Sequence, residues 1–385
     1  MPPRRVLEVS KSTGGLGTYM RWLAHGLDRV RFAPTFVCLS TGAADLANEL
    51  GQLSGVTAVA WPMNRYAIDP LGDARVIVRL RGLIRREKFD LVHAHGSKAG
   101  FIARVAAMGT GVPVAYSPHS FAFHAGAARW KANLYAFVER LAARYLTAKI
   151  ITVSDGEQAE ARRFGVGTPD LFVTVHSGVD LTKFEGAVNK REQKTALGVP
   201  PEAPLVSTVG RMSEQKGPLD FVRVAARLHQ VNPEAHLVWV GDGPLEESAR
   251  KLSAELGVQD ALHFVGQRND VPAILAASNL YLMTSHWEAF ALALLEAMAA
   301  GLPVVAPCLD GIAEAVEDGV SGMLIPPGDL NGMAEAVQSI LRDPALSSRM
   351  GANARRRIEQ DFTRAQMTDK LMKVYDALTD GRAEV

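Results

Sequence analysis

Short runs of β-branched and other apolar residues recur along the chain, and each is followed by a longer segment with helical periodicity. Seven such runs lie in the first half and six in the second. Short apolar strands that alternate with helices are typical of a parallel sheet with helices on both faces. The pattern predicts an α/β protein with two Rossmann-like, doubly wound units, whose strands are expected at 6–9, 35–39, 57–60, 91–94, 112–117, 150–153, 171–175, 205–209, 236–240, 262–265, 280–284, 304–306 and 323–325.

A polar, charged stretch without strong periodicity separates the two series of strands and predicts a linker between Ser177 and Pro201. The length of 385 residues also exceeds what one hydrophobic core organises. We therefore expect an N-terminal domain over 1–180, a C-terminal domain over 181–365 and, at 366–385, a helix that packs back on the N-terminal domain. Open α/β sheets bind ligands beyond the carboxyl ends of their strands, so two such domains predict a deep cleft between them.

The composition excludes several classes of protein. A hydrophobic fraction of 48% and a charged fraction of 22% are typical of folded domains, which argues against disordered and fibrous chains. The two cysteines, Cys38 and Cys308, are too far apart in sequence to indicate a disulfide framework or a zinc site. The first residues lack the apolar stretch of a signal peptide, and no run is long enough to span a bilayer. These features predict a cytoplasmic protein.

The charge is unevenly distributed along the chain. Residues 1–180 contain 22 basic and 14 acidic residues, and residues 181–385 contain 20 basic and 27 acidic residues. A basic half often meets an anionic partner, such as nucleic acid, a membrane surface or a phosphorylated substrate. No nucleic-acid recognition motif is present, so nucleic acid is not an expected partner.

Two loops after predicted strands carry residues suited to phosphate binding. In the first, Gly14 and Gly15 precede a predicted helix, and glycines let backbone amides approach a phosphate there. The spacing fits neither the dinucleotide fingerprint nor the P-loop, so a tight turn is an equal interpretation. In the second, Arg211 and Lys216 either neutralise a diphosphate leaving group or are solvated surface charges.

The glycines of a third loop, Gly241 and Gly243, permit a sharp corner between a strand and a helix, and Pro244 suits the first turn of that helix. We interpret this loop as architectural.

The segment that begins at Glu288 combines a helix start with two acidic residues. Glu296 falls inside an otherwise apolar helix, where a lone carboxylate is unfavourable unless donors such as ribose hydroxyls bind it. Glu288 lies about 12 Å back along the helix rise, within reach of a sugar beyond the diphosphate. The amides of Phe290, Ala291 and Leu292 would hold the diphosphate itself. The alternative is a capping Glu288 and a core Glu296 paired with Arg or His.

These motifs resemble, in order and spacing, those of the group-1 family of glycosyltransferases, which have the GT-B fold. The second half contributes Gly210-Arg211, Lys216-Gly217, Gly241-Asp242-Gly243-Pro244, the pair Glu288 and Glu296, and Gly301-Leu302-Pro303-Val304-Val305. The first half contributes Gly14-Gly15, 92–100 and 117–123, which look like the branch that builds bacterial surface polysaccharides. The resemblance covers almost the whole chain.

The resemblance implies retaining transfer of a sugar from a UDP- or GDP-sugar, without an essential metal ion or other cofactor. It assigns the donor diphosphate to Arg211 and Lys216, the ribose to Glu296, and hydroxyls of the transferred sugar to Glu288.

The resemblance also implies roles in the first half. Gly15 would bring its amide near the distal phosphate. His119 would lie beside the anomeric carbon and orient the sugar or acceptor, so that His119 and Glu288 are the expected catalytic residues. Without the resemblance, His119 would be read as a structural histidine.

Three departures from the family pattern affect the donor and catalytic loops. Ala289 and Ala291 occupy positions where the family usually has glycines, Ser120 replaces a frequent glycine after the histidine, and His176-Ser177 replaces a common Pro-Asn. These departures bear on the choice of sugar and on activity, and they leave the predicted fold unchanged.

A basic amphipathic helix is predicted from Asp73 to Lys88. Such helices can lie on anionic membrane surfaces, although a solvated basic face over an apolar core stripe is the commoner explanation. In GT-B enzymes the first domain holds the acceptor. Its positive charge suits a saccharide or a lipid-linked saccharide at the inner face of the membrane, where the protein would be peripheral.

Three other functions share the expected scaffold: a non-catalytic nucleotide-sugar-binding protein, an epimerase and a phosphorylase. The binding protein would release no nucleotide with any acceptor, the epimerase would need no acceptor, and the phosphorylase would need phosphate. An NAD-dependent dehydrogenase is disfavoured because no complete dinucleotide fingerprint follows any strand.

Overall fold

In the computed structural model, residues 2–11, 14–40, 42–64, 69–123, 126 and 128–380 are described. Ser12 and Thr13 of the predicted phosphate-binding loop lie outside the described residues, as do residues 381–385 of the predicted C-terminal segment.

All thirteen predicted strands are present, with ends within a few residues of their predicted positions. They are β1 (Arg4–Ser10), β2 (Phe32–Leu39), β3 (Thr57–Trp61), β4 (Leu91–His95), β5 (Val114–Ser117), β6 (Lys149–Thr152), β7 (Phe172–Thr174), β8 (Leu205–Val209), β9 (His236–Val240), β10 (Leu262–Phe264), β11 (Leu280–Leu282), β12 (Val304–Pro307) and β13 (Gly322–Ile325).

Helices connect and follow these strands. They are α1 (Gly15–Gly26), α2 (Ala44–Gly51), α3 (Pro70–Glu87), α4 (Ser97–Ala107), α5 (Arg129–Leu146), α6 (Asp155–Arg163), α7 (Lys190–Ala196), α8 (Pro218–Val231), α9 (Glu246–Glu255), α10 (Val271–Ala277), α11 (Leu292–Ala299), α12 (Asp310–Ala313), α13 (Leu330–Arg342), α14 (Pro344–Asp361) and α15 (Arg364–Thr379).

The chain divides into two compact units. Unit 1 comprises Met1–Ser177 and Arg364–Val385, and unit 2 comprises Gly178–Thr363. The helix α15, which ends the described chain, therefore belongs to unit 1 although it follows unit 2 in sequence. The first boundary falls three residues before the position expected from the sequence.

Each unit is built on one parallel sheet. Unit 1 has seven strands in the order β3-β2-β1-β4-β5-β6-β7, and unit 2 has six in the order β10-β9-β8-β11-β12-β13. Their apolar side chains are buried because helices cover both faces; Leu7 and Val92, for example, lie in the core of unit 1, and Val206 and Leu282 in that of unit 2. This is the predicted α/β architecture of two doubly wound sheets.

The segment predicted as a linker is not one. Residues 178–201 belong to unit 2, where Leu181–Phe184 form a short 3₁₀ helix and α7 follows. Hydrophobic periodicity did not reveal α7 because a lysine, and not a stripe of apolar residues, anchors the helix. Lys194 is buried and its Nζ donates to the carbonyl of Ala203 at 2.8 Å. Pro244 also lies outside the helix it was expected to begin, since α9 starts at Glu246.

The strand orders place a topological switch point in each sheet. The chain winds outward in opposite directions from β1 and β4 in unit 1, and from β8 and β11 in unit 2. The loops that leave the carboxyl ends of such strands diverge, which creates the crevice where open α/β sheets bind ligands. The candidate residues of each unit follow, or lie on, these strands.

None of the described helices has the length and apolar character required to cross a membrane.

Candidate active site

In unit 2, two loops meet at the switch point. The loop after β8 and the loop after β11 are joined by a bond of 2.8 Å from the amide of His286 to the carbonyl of Gln215, and by a bond of 3.0 Å from Thr284 Oγ1 to the carbonyl of Gly217. Because both loops follow adjacent parallel strands, residues about 70 positions apart in sequence become neighbours.

Glycine is required where these loops touch. Gly217 has a φ of +63°, and a Cβ there would lie 2.2 Å from the carbonyl oxygen of Thr284. Gly241, at the end of β9, has a φ of +126°, and a Cβ would lie 2.2 Å from the carbonyl oxygen of Gly210. Any side chain at either position would force the loops apart.

Lys216 and Glu288, two of the predicted donor-site residues, form an ion pair across these loops. The Glu288 side chain is 7% exposed and the Lys216 side chain 21%. Ser285 Oγ donates to Glu288 Oε1 at 2.9 Å, and Gln215 Nε2 lies 3.5 Å from Oε2 and donates to the carbonyl of Trp287 at 3.2 Å. The carboxylate is therefore held in one orientation by a cation and a hydroxyl, and does not cap the helix that follows.

Arg211, the other predicted cation, has an exposed side chain on the same loop as Lys216. The backbone beside it is fixed by the amide of Met212, which donates to the carbonyl of Asp242 at 2.8 Å, and by the amide of Leu245, which donates to the carbonyl of Met212 at 3.0 Å. The exposed Arg211 is thus carried on a loop whose backbone these bonds hold in place.

The helix α11 begins one to two residues later than the segment expected to hold the diphosphate. Leu292 is its first residue, Ala291 is the N-cap, and Phe290 precedes both. Within the described part of the chain, the amides of Ala291, Leu292 and Ala293 have no backbone or side-chain acceptor, so this helix start can accept an anion. Ala291 has a φ of −80°, a conformation that alanine adopts without strain.

Glu296 lies on α11, as predicted, one helical turn inside its N-terminus. Its neighbours along the helix, Leu295 and Ala297, are fully buried, while Glu296 keeps part of its surface accessible. The carboxylate accepts no hydrogen bond from any residue that the structure describes. The dense surroundings raise its pKa to about 7, against a smaller effect from Lys183. No Arg or His among the described residues pairs with this carboxylate, so the alternative interpretation of Glu296 as a paired core residue finds no partner there.

In unit 1, a buried polar network occupies the corresponding switch point. Glu8 on β1 is 1% exposed and His95 on β4 is fully buried, and Glu8 Oε2 lies 2.8 Å from His95 Nε2. Tyr375 on α15 donates to Glu8 Oε1 at 2.7 Å and lies 2.6 Å from His93 Nδ1. The second nitrogen of His93 lies 2.9 Å from Ser117 Oγ.

His119, the predicted catalytic histidine, ends this network. Its Nε2 lies 3.0 Å from His95 Nδ1, and the two rings stack with centroids 5.3 Å apart. The ring of Tyr19 packs edge-on against it at 4.7 Å. The side chain is only partly buried, so the network links the protein interior to the surface at the end of β5.

Burial controls the protonation of the network. It raises the pKa of Glu8 from 4.5 to about 8, although the hydrogen bond from Tyr375 opposes the rise, and lowers the pKa of His95 to about 3. Burial also lowers the pKa of His93 and His119 well below 6.5, with smaller effects from nearby imidazoles and, for His119, from Lys11. The imidazoles are therefore neutral, and Glu8 is the group that titrates near neutral pH.

The charge of Glu8 determines which nitrogen of His119 carries a hydrogen. When Glu8 is protonated, it donates to His95 Nε2, and His95 Nδ1–H donates to His119 Nε2, which leaves the hydrogen of His119 on Nδ1. When Glu8 is ionised, His95 donates to Glu8, and His119 donates to His95 from Nε2. At neutral pH the first arrangement predominates, so Nδ1 of His119 is a donor.

Glu8, His93 and His95 place three potential metal-ligating atoms within 4.8 Å of one another. His95 Nε2 bonds to Glu8, and His93 Nδ1 bonds to Tyr375. Because these nitrogens already have hydrogen-bond partners, we interpret the cluster as a proton-sharing network of the fold and not as a metal site.

The backbone is strained at the adjacent residues His119 and Ser120. Their φ angles are +51° and +88°, in the region that favours glycine. The amide of Ser120 donates to Glu157 Oε1 at 2.6 Å, which holds the turn in place. Strain of this kind persists only where surrounding structure enforces it, and it is common at functional sites.

Gly15 is exposed and begins α1, after Gly14 with a φ of +58°. Its amide has no acceptor among the described residues, which makes it available to an anion at the helix start.

Glu8, His93, His95 and Tyr375 were not predicted as site residues. A signal for Glu8 was present: it is the one charged residue in the apolar run predicted as a strand at 6–9, the same feature that drew attention to Glu296 in an apolar helix. Tyr375 had no comparable signal, because it joins the network from α15, 367 positions away from Glu8.

Comparison with known proteins identifies the family of the chain. The family model for glycosyl transferases group 1 matches residues 189–357, and a glycosyl transferase 4-like domain matches residues 14–178. A UDP-Gal:α-D-GlcNAc-diphosphoundecaprenol α-1,3-galactosyltransferase of Escherichia coli is 32% identical over 313 residues, 80% of each chain. A D-inositol 3-phosphate glycosyltransferase of Streptomyces scabiei is 32% identical over 391 residues, covering 91% of this chain and 86% of that protein.

Solved structures show the same fold. The crystal structure of HepE from Anabaena in complex with UDP-glucose superposes with a TM-score of 0.84 at 22% identity and covers 97% of this chain and 99% of that one. Together with the sequence relatives, it identifies the two sheets as those of a GT-B enzyme. The chain therefore belongs to the group 1 glycosyltransferases.

Proposed function

We propose that this glycosyltransferase moves a sugar from a UDP-sugar onto a phosphorylated, lipid-linked saccharide, with retention of anomeric configuration and without a bound metal ion. The observation that carries the proposal is Glu296, a partly accessible glutamate beside a helix start whose first amides have no acceptor in the part of the chain that the structure describes, at the switch point of the second sheet. Hydroxyl donors on a nucleotide ribose would satisfy this carboxylate, and the amides would receive the diphosphate.

Positive charge near the diphosphate comes from the protein itself. Lys216 and Arg211 lie on the rigid loop after β8, and the start of α11 adds the dipole of a helix. Such groups stabilise the charge that develops on a departing diphosphate, the task that a metal ion performs in other enzymes. We therefore expect full activity in the presence of a chelator.

Glu288 would bind hydroxyls of the transferred sugar. Its Oε1 is engaged by Lys216 and Ser285. Among the described residues, Oε2 has only the distant Gln215 amide at 3.5 Å, so Oε2 is the atom available to a sugar hydroxyl. The ion pair fixes the carboxylate before the sugar binds, which reduces the entropy lost on binding.

In unit 1, we assign donor and acceptor contacts to Gly15 and His119. The amide of Gly15 would bind the distal phosphate. His119 would orient the sugar or the acceptor hydroxyl through Nδ1, which carries a hydrogen while Glu8 is protonated. His95 and Glu8 are positioning residues in this assignment, because they act through His119.

The choice of UDP and of a lipid-linked acceptor rests on the E. coli relative, whose name states both. The basic excess of residues 1–180 suits an acceptor that carries phosphate, at the inner face of a membrane. A phosphorylated cyclitol is the second candidate, because the Streptomyces relative covers 91% of the chain at the same identity. A GDP-sugar is the alternative donor.

Two assays test the proposal. Thermal unfolding is measured with UDP, GDP and their sugars, and we expect UDP compounds to raise the melting temperature most, because a ligand of the native state stabilises it. UDP release is then measured with a GlcNAc-diphosphate-lipid, with inositol phosphate and without acceptor, each with and without EDTA, and product configuration is read by NMR.

Release only with the lipid-linked acceptor, unaffected by EDTA and with a retained anomeric configuration, is the expected result. Binding without release in any mixture would indicate a nucleotide-sugar-binding protein, and release that requires inorganic phosphate would indicate a phosphorylase. Conversion of the sugar without any acceptor would indicate an epimerase. Each of these three results would contradict the proposal.

A further inference from the structure

One helix of unit 1 exposes its large apolar side chains. On α5, Trp130, Leu134, Phe137, Leu141 and Tyr145 are 66%, 51%, 53%, 45% and 67% exposed. Their spacing of four, three, four and four residues places them in one line along the helix. We call these five residues the α5 stripe.

The opposite face of α5 packs against the core of unit 1 through small residues. Ala132, Ala136 and Ala143 are buried there. This is the reverse of an ordinary surface helix, in which the large apolar residues face the core. The large residues of the α5 stripe therefore add nothing to the core of unit 1.

A buried ion pair fixes the rotation of α5. Glu139 lies on the buried face, and its two carboxylate oxygens each accept a bond of 2.8 Å from the guanidinium of Arg104 on α4. The hydroxyl of Tyr116 donates to the same carboxylate at 3.3 Å. Rotating α5 to bury the stripe would break this pair and leave charge in the core, which is strongly unfavourable.

Positive charge flanks the α5 stripe. Arg129, Lys131, Arg140 and Arg144 are exposed, and the one acidic residue of the helix is the buried Glu139. Lys131 and Arg144 lie over the rings of Trp130 and Tyr145, with cation-to-centroid distances of 5.5 and 5.3 Å. The face thus combines an apolar middle, an aromatic residue at each end and basic edges.

The basic helix expected from the sequence to meet a membrane lacks this combination. On α3, the apolar stripe of Val76, Leu80 and Ile84 is buried in the core. Its exposed face carries arginines, with Leu71 and Val78 as isolated exposed apolar residues. The helix α3 can therefore contribute charge to membrane binding but no continuous apolar surface.

We propose that the α5 stripe docks the protein on an anionic lipid bilayer, with α5 lying in the plane of the interface. Interfacial helices have an apolar face that enters the boundary of the acyl chains, aromatic residues at headgroup level and basic residues that contact anionic lipid. A second copy of the chain is a poorer occupant, because two such faces would oppose eight like charges. The inference rests on the proposed function in one respect, since docking would bring unit 1 to a lipid-linked acceptor.

The test is co-sedimentation of the full chain with phosphatidylcholine vesicles, with and without phosphatidylglycerol. The variant Phe137→Gln/Leu141→Gln alters the α5 stripe. The matched control, Leu71→Gln/Val78→Gln, changes two apolar residues of α3 that are 73% and 71% exposed. Because all four side chains are exposed, neither variant should disturb the fold.

We expect the wild type and the control to bind the anionic vesicles, and the stripe variant to bind at least about tenfold more weakly. Binding should weaken with added salt, because salt screens the contribution of the basic residues. UDP should raise the melting temperature of all three proteins equally, since none of the changed residues belongs to the proposed donor site.

Equal vesicle binding by the stripe variant and the wild type would overturn the inference, as would no binding by either. A dimer in solution that the stripe variant abolishes, without vesicle binding, would identify a second copy as the occupant and would also overturn it. Vesicle binding by a protein that UDP fails to stabilise would contradict the proposed function while leaving the docking surface standing.

Discussion

Replacing Glu8 with glutamine should change how the stability of unit 1 depends on pH. Glu8 is buried on β1, where Tyr375 bonds to one carboxyl oxygen and His95 to the other. Tyr19 and His93 also face it, and neither carries a positive charge at neutral pH. Because Glu8 is buried and no cation among the described residues lies against it, its pKa is raised to about 8, and the carboxyl keeps its proton in the folded state below that pH.

The direction of the change in stability with pH follows from the number of protons that the folded and unfolded chains bind. Between pH 4.5 and about 8 the folded chain holds a proton on Glu8 that the unfolded chain has released, so the free energy of unfolding falls as pH rises through this window. The full change corresponds to about 5 kcal/mol, an upper limit because a folded protein relaxes around a buried charge. The depressed pKa of His95, about 3, acts in the opposite sense, because its stabilisation is lost as pH falls below 6.5.

The variant Glu8→Gln isolates the contribution of Glu8 to the pH dependence of stability. Glutamine keeps an acceptor for Tyr375 and supplies a donor for His95, and it does not titrate. The effect of His95 remains in both proteins and cancels in the difference. The variant should therefore gain stability relative to the wild type as pH rises from 5 to 9, by up to about 4 kcal/mol.

Urea unfolding at intervals from pH 5 to 9 measures this difference, with the transition of unit 1 followed separately from that of unit 2 because two domains need not unfold together. Glu335→Gln, which removes an exposed carboxylate from unit 2, is the control and should run parallel to the wild type. If the curves of Glu8→Gln and the wild type are also parallel, the assignment of a protonated Glu8 is wrong.

Three further predictions concern single residues. Ser120→Gly should raise the melting temperature of unit 1 and its free energy of unfolding by about 1 kcal/mol, because Ser120 has a φ of +88°, which glycine adopts without strain. An unchanged or lower melting temperature would show that the backbone at Ser120 is not strained. In the wild type, calorimetry should show that UDP affinity falls roughly tenfold from pH 8 to 6, because Glu296 is protonated below its pKa of about 7. Glu296→Gln should abolish this pH dependence. An equal pH dependence in both proteins would show that Glu296 does not bind the ribose. Glu139→Gln should lower the free energy of unfolding of unit 1 by about 3–5 kcal/mol in urea unfolding, because it leaves the charge of Arg104 unpaired. A decrease below about 1 kcal/mol would contradict the burial of this ion pair away from water.

The strand pattern could be predicted from sequence because a strand buried on both faces must be apolar along its length. The linker prediction was wrong for a related reason. The helix α7 is anchored by Lys194 and carries no apolar stripe, so periodicity gave no sign of it. An element of the fold can be predicted from sequence where its buried residues are apolar. It is missed where the buried residue is charged and bonds to a backbone group.

The sequence nominates residues for the donor site, but it could not predict the contacts among them. The motif identified Lys216 and Glu288 separately, and their ion pair emerged only when adjacent strands placed the two loops side by side. The start of α11 shifted toward Leu292, because the extended backbone of Ala291 makes it the N-cap. The reach of Tyr375 across the whole chain to Glu8 lies beyond any local pattern.

The α5 stripe shows a further limit of sequence patterns. A line of large apolar residues predicts a buried face, and on α5 this line is exposed because alanines pack closely and Glu139 pairs with Arg104 on the other side. Only the three-dimensional arrangement shows which face of the helix is buried.

The central claim is that the loops after β8 and β11 bind the diphosphate of the donor. The most direct measurement is the Kd of UDP by isothermal titration calorimetry for the wild type, Arg211→Ala and Lys216→Ala, with Lys251→Ala, whose side chain is 79% exposed on α9, as the control. Loss of a charge-assisted hydrogen bond should weaken UDP binding roughly ten- to hundredfold in the first two variants and leave the control unchanged. An equal Kd in all four proteins would contradict the account.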